Sequence, residues 1–274
     1  MKKLGIAISL YNRLPELLTN VNIIRKHWSP EYRDAVIGVC SNDRETFAEL
    51  EKNKDIDVLI PGNFDIPSSP KPLKRLRQWD CITRSTMCIS DMCKFTFHYH
   101  ADFFAVKVEP ILEIIEQMGD NKHIAFRGRG LGYSTPKNPE GDCDDHSIIF
   151  RNSEIVDRGF FDFDPREFLV DGNVEGLLAK RIKDEFSENT TLHYSNMEEC
   201  EINLENARPD SFYKDGLMHR NMHEWNIDRA RQFGHSSNQK ISRKFLLEFG
   251  VPEKLITFGG ENPEDKTISD WLNG

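Results

Sequence analysis

The segment Phe95-Thr96-Phe97-His98-Tyr99-His100-Ala101-Asp102-Phe103-Phe104 leads from an apolar run straight into groups that can do chemistry. An imidazole and a carboxylate stand at i and i+2, His100 and Asp102, and an aromatic pair follows at once. Two side chains at that spacing on a turn after a strand can converge on one divalent cation. Mg²⁺ or Mn²⁺ held there would neutralise phosphate oxygens as a Lewis acid. The competing reading is structural: His98 and His100 are strand residues satisfied by hydrogen bonds, and Asp102 caps the turn.

Other clusters carry weaker signals. Asp171-Gly172-Asn173-Val174-Glu175 opens a helical pattern that runs through Leu177, Leu178 and Arg181. Acidic residues favour helix N-termini on electrostatic grounds alone. Asp142-Cys143-Asp144-Asp145-His146 groups carboxylates that attract cations or sugar hydroxyls, or else forms a solvated acidic loop. Lys71, Lys74, Arg75, Arg77 and Arg84 are a basic cluster in an acidic chain. They suit either a diphosphate or the solvated face of a helix. His219 and His223, at i and i+4, would share a helix face, and His235 sits in Gly234-His235-Ser236-Ser237. Gly128-Arg129-Gly130-Leu131-Gly132 lacks the strand-to-helix setting of a dinucleotide fingerprint and is set aside.

The elements that must position these groups alternate. Leu4–Leu10, Ala35–Cys40, Ile56–Ile60 and Lys94–His100 read as buried strands. Between them, Leu14, Leu17, Leu18, Val21 and Ile24 recur at helical spacing after Pro15, up to Ser29-Pro30. Phe47 and Leu50 mark a short helix, and 74–92 a long one beyond a proline-rich loop at 61–72. A helix over 108–118 follows the fourth strand. Alternation of this kind predicts an α/β fold with a mainly parallel sheet. Such sheets bind ligands beyond the carboxyl ends of their strands, which here are Tyr11-Asn12-Arg13, Ser41-Asn42-Asp43 and His100-Ala101-Asp102. The second half is less regular. Strands are expected at 123–126 and 147–150, helices at 174–186 and 241–249, with Gly250 as a stop. The polar stretch 198–237 reads as a cover rather than a second core.

A chain of 274 residues can bury one large core. Its net charge of −9 argues against wholesale nucleic-acid binding, which needs a basic field. No apolar run approaches membrane-spanning length, and Leu4–Leu10 is too short for a signal peptide, so a cytoplasmic protein is expected. Cys40, Cys81, Cys88, Cys93, Cys143 and Cys200 form no Cys-x-x-Cys pair and read as buried free thiols.

The His100-Ala101-Asp102 segment resembles the Asp-x-Asp motif of GT-A-fold nucleotide-sugar glycosyltransferases, with histidine in the first acidic place. Other landmarks fall in family order over residues 4–190: the opening strand Ile6–Tyr11, Asn42-Asp43, and the helix with Arg75, Arg77 and Arg84. The resemblance implies a Rossmann-like, mainly parallel mixed sheet with helices on both faces. It implies transfer of a sugar from a nucleotide-diphosphate donor to a hydroxyl of a glycan or related acceptor, with Mn²⁺ or Mg²⁺. Tyr11, Asn12, Arg13, Asn42, Asp43, Arg77, Arg84 and Ala101 are then expected at the donor, and His100, Asp102 and His235 at the metal. Asp171 or Glu175 would be the general base of an inverting enzyme, and a retaining one would need none. The expected organisation is one domain over 1–274. Residues 1–107 would bind the nucleotide sugar, 108–197 the acceptor, and 198–274 would cover the site. Histidine for aspartate is a softer, neutral ligand and removes one negative charge. Two alternatives remain. One is a non-catalytic nucleotide- or sugar-binding protein. The other is a sugar-phosphate nucleotidyltransferase, which the absence of glycine from Leu10–Leu17 disfavours.

Overall fold

The computed structural model describes residues 2–10, 13–67, 70–127, 131, 141, 143, 147–166, 172–194, 212–214, 217–219, 243 and 246–258. The apolar run at the start forms β1 (Lys2–Leu10), and β2 (Val36–Ser41) is buried at every position. Continuous rather than alternating hydrophobicity is what a strand covered on both faces needs. The remaining elements are α1 (Leu14–Asn22), α2 (Arg44–Leu50), β3 (Val58–Pro61), α3 (Lys71–Met87), β4 (Cys93–His100), β5 (Phe103–Ala105), α4 (Glu109–Met118), β6 (Ile124–Phe126), β7 (Ser147–Arg151), α5 (Asn152–Asp157), α6 (Val174–Glu185), β8 (Thr191–His193), β9 (Phe212–Lys214) and β10 (Leu217–His219).

The chain falls into two compact units, one of residues 1–14, 34–101 and 109–197, the other of 15–33, 102–108 and 198–274. The first holds a seven-stranded sheet in the order β3-β2-β1-β4-β7-β6-β8. Only β7 runs against the rest, antiparallel to β4 and β6. The expected mainly parallel α/β sheet is therefore present. From β1 the chain steps outward to β2 and β3, then crosses back over β2 and β1 to β4. Right-handed connections put α2 and α3 on opposite faces, since the two crossovers travel in opposite directions. The reversal also makes a switch point between β1 and β4.

Register decides what lies under α3. Gly5, Ala7 and Ser9 of β1 align with Val36, Gly38 and Cys40 of β2 and with Thr96, His98 and His100 of β4. Small residues on this face let the helix come close. A Cβ on Gly38 would stand 2.7 Å from Ile89 and 3.0 Å from the Cys88 sulfur, and one on Gly5 would collide with Cys93. Further along the sheet the same face carries Ile148, Phe150, Ile124 and Phe126. They are closed over by Trp79 and Ile82 of α3, Ile155 of α5, and Leu177, Leu178 and Ile182 of α6. Helix α6 starts where Asn173 Oδ1 accepts a hydrogen bond from Gly176 N at 2.9 Å. Asparagine, and not Glu175, therefore caps it.

At the far side of this sheet His123 Nε2 lies 3.8 Å from Glu154. Burial lowers the His123 pKa from 6.5, Glu154 opposes this, and Arg158 and Arg151 reinforce it. A lowered value means that the unfolded chain takes up the proton first. His123 is thus expected to contribute nothing adverse above about pH 6.5 and to destabilise progressively as pH falls through and below it. Denaturant midpoints at several pH values should show that His123→Gln flattens this acid-side loss. An unchanged slope would contradict it.

The second unit has its own core. Helix α1 loosens into a wider π turn over Ile23–His27, and Trp28 Nε1 then donates to Ala105 O at 2.8 Å. Thr257 N donates to Thr19 Oγ1 at 3.0 Å and Asn22 Nδ2 to Leu255 O at 3.2 Å. Phe104 packs on Phe258 with ring centroids 5.5 Å apart. Strands β5, β10 and β9 form an antiparallel sheet of three. The stretch expected as a polar cover thus contributes strands, which its scattered charges did not announce. Gly250, at φ 78°, ends the helical turn Leu246–Glu248 in the left-handed region that favours glycine. No described helix is long and apolar enough to cross a membrane.

Candidate functional site

Parallel pairing brings the carboxyl ends of four strands to one edge of the first unit. Ser9 aligns with His100, Leu10 with Ser41, and Ser41 with Pro61. Hydrogen bonds extend the ladder one step beyond the strands: Asn42 N to Leu10 O at 3.2 Å, Gly62 N to Ser41 O at 2.8 Å, and Ala101 N to Ser9 O at 3.2 Å. The backbone of Asn42, Gly62 and Ala101 is therefore held in line with the sheet. Arg13 follows β1 and is half-buried, and Tyr11 and Asn12 lie outside the described residues.

Asn42 is the anchor of this edge. It is only 4% exposed, and its Nδ2 donates to Arg77 O at 2.7 Å. Arg77 Nη2 donates in return to Asn42 O, so β2 and α3 hold each other reciprocally. Asn42 Oδ1 faces Gly62 so closely that any Cβ there would strike it. That oxygen is buried and accepts no hydrogen bond among the described residues. Next along, Asp43 caps α2, its Oδ2 accepting from Thr46 N at 2.8 Å. Arg84 Nε donates to Asp80 Oδ1 at 2.8 Å, and Asp80 Oδ2 accepts from Asn63 N at 2.8 Å. The bond to Asp80 raises the pKa of Arg84, a side chain that is charged at any accessible pH in any case. Two arginines singled out for a diphosphate thus spend at least part of their donor capacity on the wall beneath the strand ends.

On β4, His98 is fully buried with Nε2 3.3 Å from Ser9 Oγ. Its ring meets that of His100 edge to face at 5.7 Å. The structural reading of the sequence therefore applies to His98. His100 is half-buried at the strand end, and Ala101 is buried behind it. Asp102 is 6% exposed and opens the second unit's stretch 102–108. Burial pushes the hydroxyl pKa of Tyr99 up, on the opposite face of the strand.

Glu175 lies in the first turn of α6, half-buried, and its carbonyl accepts from Cys143 N at 3.3 Å. Asp171 and His235 lie outside the described residues, as do Asp142, Asp144, Asp145, His146 and His223. Among the described residues no three His, Cys, Asp or Glu side chains gather around a common point. Sequence reasoning passed over Ser9, Gly62 and Asp80. Ser9 was findable as the one polar residue in the run Leu4–Leu10, and Asp80 by its i, i+4 spacing to Arg84. Gly62 had only the Pro61-Gly62-Asn63 turn signal.

No family model matches the chain. No curated protein matches it either. Among solved structures it is similar to the WbbM bifunctional glycosyltransferase in its apo form, at 10% identity and a TM-score of 0.41 over 70% of this chain. It is similar to CMP:2-keto-3-deoxy-manno-octonic acid synthetase complexed with CTP, at 9% identity and a TM-score of 0.41 over 71% of this chain. A third is the glycosyltransferase GlyE of Streptococcus pneumoniae TIGR4, at 13% identity and a TM-score of 0.40 over 70% of this chain. The chain spans 39% of the first of these proteins, 90% of the second and 46% of the third.

Proposed function

We propose that this chain is a GT-A-like glycosyltransferase that moves a sugar from a nucleotide-diphosphate donor to a hydroxyl of a glycan or related acceptor. The observation that carries the reading is the strand order β3-β2-β1-β4. Its switch point lies where the chain leaves β1 toward Arg13 and leaves β4 through His100-Ala101-Asp102. Ligands of open α/β sheets sit outside the carboxyl ends of strands at such a point. Asn42 and Asp43, at the end of β2, would border the base. Tyr11, Asn12, Arg13 and Ala101 would border the rest of the nucleotide. Arg77 and Arg84 would hold that wall in place and add positive charge toward the diphosphate.

His100 and Asp102 would hold a divalent cation, with His235 as a further ligand. One carboxylate and one imidazole suit Mg²⁺ or Mn²⁺, which commonly complete their shells with water and substrate phosphates. When bound, the ion would stabilise the departing diphosphate. Glu175, or Asp171, would take the proton from the acceptor hydroxyl if the reaction inverts. Asn173 supplies the cap of α6, and Glu175 stands in its first turn.

Thermal unfolding with a panel of nucleotide diphosphates and their sugars, each with Mn²⁺, Mg²⁺ or EDTA, tests this. A ligand at 100 times its Kd stabilises the native state by about 2.7 kcal/mol. The expected result is a metal-dependent rise with one nucleotide, lost in Asp102→Ala. No rise with any nucleotide would overturn the reading. A rise without donor turnover would instead favour a non-catalytic binding protein.

A further inference from the structure

We propose that Cys40 and Cys81 are an oxidative modification site, at which a peroxide closes a disulfide between β2 and α3. The chemistry stands by itself, and only its effect on ligand binding rests on the donor-site reading above.

The two sulfurs are 3.4 Å apart although the residues are 41 positions apart in sequence. Cys81 Sγ also lies 3.3 Å from Cys40 O and 3.8 Å from Leu10 O, so it is aimed at the strand ends. Both thiols are free and buried. The neighbouring thiols turn elsewhere, Cys88 toward Ser85 O and Cys93 toward Ile89 O. A disulfide bond of about 2.0 Å therefore needs the two sulfurs to approach by roughly 1.4 Å from their 3.4 Å separation.

Position gives the bond a consequence. Cys40 precedes Asn42 by two residues on β2. Cys81 follows Arg77 by one helical turn on the same face of α3. Drawing the sulfurs together shifts both partners of the reciprocal Asn42–Arg77 clamp.

In the first step one thiol sulfur attacks a peroxide oxygen. An S–O bond forms, the O–O bond breaks, and water leaves, giving a sulfenic acid. In the second step the other thiol attacks that sulfur. The S–S bond forms, the S–O bond breaks, and a second water leaves with the thiol proton. Two thiols lose two electrons in total and one hydrogen peroxide becomes two waters. Hydrogen bonding with Cys81, then burial, pushes the Cys40 thiol pKa up. Because both sulfurs are buried, peroxide reaches them on local opening of α3, and the site registers sustained rather than brief exposure to peroxide.

The test uses the full reduced chain in millimolar hydrogen peroxide, sampled over hours, alkylated after unfolding and mapped by mass spectrometry. The expected product has lost two hydrogens, carries a Cys40–Cys81 linked peptide, and is restored by dithiothreitol. Neither Cys40→Ala nor Cys81→Ala should yield it. Links to other cysteines, or separate oxidation of each thiol to sulfinic acid, would overturn the proposal. Nucleotide-diphosphate thermal shifts are then compared before and after oxidation, with at least about a twofold decrease expected and recovery on reduction. An unchanged shift on the linked chain would overturn the coupling to ligand binding. A reduced chain that shows no shift at all would overturn the donor reading and leave the linkage standing.

Discussion

Phe150→Ala is expected to destabilise the first unit by about 3–5 kcal/mol, the range for deleting a fully buried aromatic ring. Phe150 is fully buried on β7 and aligned with Thr96 of β4 and Ile124 of β6. Its ring lies 5.8 Å from that of Phe160 and 5.7 Å from that of Phe161, between sheet and helices. Strands on both sides fix the backbone, so the surroundings collapse little and the cavity persists. Phe150→Leu should cost roughly half as much or less, because it keeps most of the volume. Urea midpoints at constant m-value measure both. A loss below about 1 kcal/mol for the alanine variant would show that the core repacks around the gap.

Gly62→Ala is the second large effect, about 1–3 kcal/mol from overpacking alone. Its Cβ would collide with Asn42 Oδ1 and stand 3.1 Å from the Ser41 carbonyl oxygen. Asn42 must then move, and moving it loosens its bonds with Arg77. The two sites should therefore be coupled rather than additive. In an Asn42→Ala background the colliding oxygen is gone, and Gly62→Ala should cost at least about 1 kcal/mol less than in the parent chain. Additivity within about 0.5 kcal/mol would contradict the contact. Because Asn42 borders the proposed base site, Gly62→Ala should also weaken any nucleotide-dependent thermal shift.

The sheet was legible because burial on both faces writes itself as unbroken apolar runs. Val36–Cys40 and Phe95–Tyr99 carry that signal, and both became strands. Helix α3 was legible for its length, though its start lies at Lys71 rather than Lys74. Pro72 in its first turn costs no helical hydrogen bond, so the proline-rich loop ends later in appearance than in fact. Short elements escaped for a different reason. Strands β8 and β5 have three residues each, too few for periodicity, and α5 has six. Their conformation comes from pairing partners far away in sequence, which local pattern does not contain. At the candidate site, the strand-end positions of Asn42, Asp43, His100 and Ala101 followed from where the apolar runs stop in an alternating α/β pattern. The arginines were harder. A sequence shows that Arg77 and Arg84 are basic and near a strand end, but not that Asn42 and Asp80 occupy their donors.

The two units interleave along the chain, and that ordering governs how the protein is made. Every strand of the seven-stranded sheet has been synthesised once β8 is complete. Among the described residues strand β5, Phe103-Phe104-Ala105, pairs with β10, which arrives much later. At about 5–20 residues per second the ribosome takes on the order of 5–20 s to bridge that interval. Throughout it the edge of an apolar strand that meets β10 stands without its neighbour, a hazard that folded proteins avoid. Slower translation lengthens the vulnerable period, and a chaperone that shields short aromatic segments would find its client in the nascent chain rather than in the finished molecule.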